Sequence, residues 1–70
     1  MEAIKELDTV AVLKDIPEKN LLRGNVGIVI ADVSNTKAEV EFIDKNGKIT
    51  SLVTLNKKDL LRLRVETVTA

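Results

Sequence analysis

Seventy residues are enough for one domain, 1–70, and a chain this short removes only about 60% of its unfolded surface on folding, so its core is small. Lysine plus arginine number 11 and aspartate plus glutamate 11, so no net field draws in nucleic acid or an acidic membrane. Cysteine and histidine are both absent, which excludes disulfides, thiolate metal sites, cysteine nucleophiles and the usual base of serine catalysis.

Apolar residues at 44% and charged residues at 31% describe a folded chain rather than a disordered one. The longest apolar run, Val26 to Val33, is interrupted by Gly27 and Asp32 and falls far short of a membrane span. The opening "MEAIKELD" lacks the apolar stretch of a signal peptide, so the expected location is cytoplasmic.

In chain order, "EAIKEL" is too short to stand as a helix, and residues 1–6 are expected to be peripheral. Thr9 to Leu13, "TVAVL", is β-branched and aliphatic and predicts a first strand. "KDIPEKN", with Pro17 among charges, predicts a loop. Val26 to Val33 predicts a second strand, entered past Gly24 and interrupted by Gly27. A glycine within a strand marks a bulge, a bend or a close backbone approach, so Gly27 is expected to let the strand curve across Phe42 or another large neighbour. The two glycines lack the pattern and strand-to-helix setting of a phosphate-binding loop.

Ala38 to Asp44 predicts the third strand. Its alternation places Ala38, Val40 and Phe42 on the core side and Glu39 and Glu41 on a solvated face. Asn46-Gly47 follows, the dipeptide that most readily accepts the positive φ values of a tight hairpin turn. A fourth strand, Lys48 to Thr54, leaves apolar residues outside in either register: Ile49 and Val53 in one, Leu52 in the other. Asn56 is placed to cap a single helical turn through Lys57, Lys58 and Asp59. In "LLRLRV", Leu61, Leu63 and Val65 alternate against Arg62 and Arg64, predicting a fifth strand with a basic outer face. Residues 66–70 are expected to be peripheral.

Five short strands with one helical turn before the last predict an all-β fold, a small five-stranded SH3-like barrel. An OB-fold needs more chain, and a two-layer α+β arrangement needs a long amphipathic helix that the sequence does not offer.

The segments "IKELDTVAVLKDIPEKNLLRGNVGIVI", "EVEF" and "LVTLNKKDLLRL" together resemble the small bacterial proteins of the family known as domain of unknown function 4926. That family runs E-L-D, a strand, an acidic loop with proline, G-x-V-G-x-V, V-E-F and V-T-L before a closing leucine-arginine segment, and the resemblance covers Ile4 to about Leu63. It implies an SH3-like barrel rather than an activity. The chain departs from the pattern at Ile28, where a polar or small residue is common, and in lacking the tyrosine often found ahead of V-E-F. More distantly, the short barrel is similar to SH3-like subunits of photosynthetic electron-transfer complexes and to ribosomal KOW modules, analogies of fold that carry no function with them.

The chemistry available is narrow. Ser34 and Ser51 have no histidine to activate them, "DKNGK" resembles only part of a calcium loop without its closing glutamate, and no cofactor or metal is expected. Proline-rich ligands need rigid aromatic walls, and Phe42 is the only aromatic residue. A basic patch of Lys57, Lys58, Arg62 and Arg64 could meet phosphates, but Asp59, Glu66 and the missing stacking residues weigh against nucleic acid. The expectation is therefore a noncatalytic protein-interaction module or small accessory subunit, with Ile28, Ile30, Arg62 and Arg64 as candidate partner surface and homodimerisation through an edge strand as one mode. Two alternatives remain open: an antitoxin or immunity-like partner of a neighbouring toxin, and an RNA or ribosome-associated KOW-like module.

Overall fold

The short apolar segments resolve into five strands: β1 (Thr9–Val12), β2 (Val26–Asp32), β3 (Lys37–Ile43), β4 (Ile49–Asn56) and β5 (Leu60–Arg62). The computed structural model describes residues 3–64, so the expectations for Val65, residues 66–70 and the first two residues lie outside what is described. The strands form one antiparallel sheet in the order β4-β3-β2-β1-β5. The first four follow one another as a meander, and β5 returns to the free side of β1. β4 and β5 are not paired with each other, so the sheet is open. No α-helix occurs among the described residues, which removes the α+β alternative.

One side of the sheet holds the core. Val10 and Val12 of β1, Val29 of β2, Ala38, Val40 and Phe42 of β3, Leu55 of β4 and Leu60 of β5 are all buried. The alternation expected in β3 is the one observed. Two more core residues, Ile16 and Leu21, come from the loop between β1 and β2. They face each other in an isolated bridge, with reciprocal backbone hydrogen bonds of 2.9 and 3.1 Å. The 3-10 turn Pro17–Lys19 and Asn20 in the left-handed conformation make that reversal, so the loop lays two aliphatic side chains over the open side of the sheet.

Gly27 stands opposite Phe42 in the β2–β3 ladder and opposite Val10 in the β1–β2 ladder. A Cβ there would lie 2.7 Å from the Glu41 carbonyl oxygen, 2.8 Å from Val40 Cγ1 and 2.9 Å from Phe42 Cδ1. The glycine is therefore a close-approach residue, and the expectation that β2 passes tightly across Phe42 is met. The neighbouring bulge between Val29 and Ala31 adds the bend.

The β3–β4 turn differs in detail from a two-residue hairpin. Only Gly47 has positive φ, 79°, and Gly47 N–H donates to the Asp44 carbonyl at 2.9 Å. The Asp44 carboxylate also accepts from the backbone N–H groups of Asn46 and Lys48, at 2.8 and 3.0 Å. The result is the three-residue loop that ends in a left-handed residue, held by an aspartate side chain that competes for the backbone.

Two further expectations are corrected. Asn56 does precede the 3-10 turn Lys57–Asp59, but its side chain does not cap it; its Oδ1 accepts instead from Lys37 Nζ at 3.0 Å. In β5 the phase is the reverse of that expected: Leu60 is 5% exposed and Leu61 50%. Leu60 faces the core, and Arg62 shares its side. Arg62 is accommodated there because it reaches the end of the sheet, where its Nε lies 3.0 Å from an Asp8 carboxylate oxygen.

Candidate interaction surfaces

The outer side of the sheet is built from the residues left over by the core alternation. In register, Leu61 stands beside Ala11 and Ala11 beside Val26, while Ile43 stands beside Ile49. One rung past the Gly27–Phe42 pair, Val26 neighbours Ile43. These positions form an apolar belt across all five strands, with Leu61, Val26, Ile43 and Ile49 between 46% and 60% exposed. In the adjoining row, Ile28 lies beside Glu41 and Glu41 beside Leu52. Glu39 and Glu41 occupy the outer face, half-buried between strands rather than fully solvated.

Ile28 and Ile30 are thus exposed, as a partner surface requires, with Ile30 in the β2 bulge. Arg62 does not share their face, because its side chain is turned to Asp8 on the core side. Arg64 is exposed beyond the end of β5. Sequence reasoning offered the Val26 to Val33 strand and the last strand as candidate surfaces but did not join Leu61, Val26, Ile43 and Ile49 into one belt. Their periodicity was the available signal, and it became readable only once the phase of β5 was fixed.

The four cations Lys57, Lys58, Arg62 and Arg64 do come together. They line one groove of about 800 Å³ whose apolar walls include Ile4, Leu13, Leu60 and Leu61. Lys57 and Arg62 are engaged by carboxylates. Lys57 Nζ forms a short ion pair with Asp32, and Arg62 pairs with Asp8. Desolvation by itself would raise the Asp8 pKa. A hydrogen bond from Lys5 N–H at 2.9 Å and the Arg62 guanidinium outweigh it and hold the carboxyl below its ordinary value.

The edges form a third kind of surface. Lys57 N–H donates to the Thr36 carbonyl, which sets the phase of the β3–β4 ladder. Alternate residues then face opposite ways: the backbone groups of Val53 and Leu55 point at β3, and those of Leu52 and Thr54 point to the free edge.

The two serines serve the backbone and the sheet. The Ser34 hydroxyl accepts from the N–H groups of Thr36 and Lys37, closing the β2–β3 turn, and Ser51 sits within β4 opposite Phe42. Among the described residues no three carboxylates gather as a metal site. No helix among them is long and apolar enough to cross a membrane.

Residues 6–62 match the profile of the family described as Domain of unknown function (DUF4926). The chain belongs to that family. The match begins just before β1 and ends with β5, so it spans all five strands and the covering loop of this chain. No curated protein and no solved structure matches this chain.

Proposed function

We propose that this member of the family is a noncatalytic protein-interaction module, a small SH3-like barrel that works as an accessory subunit in the cytoplasm. The observation that carries the reading is the apolar belt on the outer face, from Leu61 through Ala11 and Val26 to Ile43 and Ile49. The other side of the sheet has already buried its aliphatic residues beneath Ile16 and Leu21, so the belt is not surplus core. Contiguous exposed apolar surface on a small protein marks a contact site, whereas single exposed aliphatics do not. The SH3-like reading is supported by the meander of four strands, the 3-10 turn before β5 and the return of β5 to β1.

The absence of histidine and cysteine and the turn role of Ser34 favour binding over catalysis. The cationic groove favours an RNA partner less, because Asp32 and Asp8 already engage Lys57 and Arg62. The test is capture of partners by the tagged chain from lysate of its source at low and high salt, with a nuclease-treated control. A stoichiometric protein that survives both high salt and nuclease supports the module. Recovery of RNA or ribosomal proteins only, at low salt and lost on nuclease treatment, overturns it in favour of the groove.

A further inference from the structure

β4 is the longest strand of the sheet and also an edge. Natural edge strands are normally shortened, charged or interrupted by proline, because a row of free N–H and C=O groups is a template for another strand. β5, the opposite edge, follows that rule: it is three residues long, contains Arg62 and is flanked by Lys58 and Arg64. β4 does not follow it. Its eight residues, ITSLVTLN, contain no charge and no proline, and four of them are Ile, Val or Thr.

We propose that the free edge of β4 pairs antiparallel with β4 of a second copy, about a twofold axis at Leu52. This inference goes beyond the reading above, since it uses the backbone edge rather than the outer belt. Centred on Leu52, the pairing opposes Thr50 with Thr54 and Ser51 with Val53, so the outward backbone groups of Leu52 exchange bonds with those of its copy and those of Thr54 face Thr50 of the copy. Leu52, 53% exposed in the single chain, then meets its own copy on the outer face.

Charge favours a second copy as the occupant. The formal net charge is +0, so two copies do not repel as wholes. The nearest outer-face carboxylates, Glu41 and its copy, lie three strand spacings apart, about 14 Å, beyond a Debye length of about 8 Å. Pairing of β4 with β5 of another copy would instead propagate without closing, and the cations around β5 oppose it. The twofold contact closes after two chains. An edge contact alone covers less than the roughly 1,200 Å² of a stable specific interface, so the dimer forms and dissociates with concentration.

Sedimentation velocity of the full chain from micromolar to millimolar concentration, combined with residue-resolved amide exchange, tests this. The expected result is a monomer–dimer equilibrium in which the amides of Leu52 and Thr54 slow their exchange severalfold as concentration rises, while that of Arg62 does not. Leu52→Lys abolishes the dimer and keeps a folded monomer. Val26→Lys, on the outer belt away from the edge, leaves the dimer intact. A monomer at every concentration overturns the proposal, as does a dimer that survives Leu52→Lys or protects β5 instead. None of these results bears on the belt.

Discussion

Gly27 lies opposite Phe42 with no room for even one carbon between them: a Cβ would stand 2.9 Å from the ring and 2.7 Å from the Glu41 carbonyl. The carbonyl belongs to β3, which is paired on both sides, and cannot swing aside as a side chain can. Gly27→Ala is therefore expected to separate β2 from β3 locally and to destabilise the fold by about 1–3 kcal/mol, despite the smaller unfolded-state entropy of alanine. Urea unfolding checks it, with the midpoint falling while the slope stays constant.

Leu7 has φ of 74° and is 77% exposed, so its side chain adds strain without adding burial. Its N–H donates to the Val29 carbonyl at 2.8 Å, which holds the backbone in that conformation. Leu7→Gly relieves the left-handed penalty against a larger loss of chain entropy and is expected to stabilise by about 0.5–1 kcal/mol. A rise in melting temperature without change in the sheet's circular dichroism is the readout.

Ile16 and Leu21 sit in a loop yet are as buried as the strand residues. Leu21→Ala is expected to cost about 2–4 kcal/mol, as a strand leucine would, because it opens a cavity under the same sheet. Denaturant titration beside Leu22→Ala, at an exposed neighbour, separates burial from loop composition, and Leu22→Ala is expected to change stability by less than about 0.5 kcal/mol.

The Asp8–Arg62 pair gives stability a pH dependence whose sign is fixed. The Asp8 carboxyl titrates lower in the folded chain than in the unfolded one. Its contribution is therefore complete above the unfolded value of about 4 and is lost as pH falls through the lower folded value. Asp8→Asn should reduce stability at neutral pH and flatten the acid limb between neutrality and pH 3, measured by thermal melts across that range. Arg62→Gln should shrink the same limb less, because the Lys5 N–H bond remains.

The strands were legible because four of them have a period of two or turn residues on both sides: β3 declared its inward residues outright, and Gly27 declared a close approach. The phase of β5 was misleading in the sequence, since the alternation in "LLRLR" turns Leu61 and Leu63 inward, whereas the observed phase buries Leu60 and sets Arg62 against Asp8, more than fifty residues away in the chain. β4 is decided in the same way, by Leu55 meeting Ala38 across the ladder, which turns Val53 inward and leaves Leu52 outside. Ile16 and Leu21 carried no periodicity, because a loop residue reaches a core through the path of the backbone. Of the candidate surface, Ile28 and Ile30 were legible as exposed, whereas the belt depended on strand phases that only tertiary pairing sets.

The most direct measurement compares partner capture by the wild-type chain and by Val26→Lys, both verified as folded, at high salt after nuclease treatment. Val26 lies at the middle of the belt and is not one of the buried core residues, so the account predicts that the variant keeps its melting temperature within a few degrees and loses the partner. Undiminished capture of the same partner by Val26→Lys would contradict it.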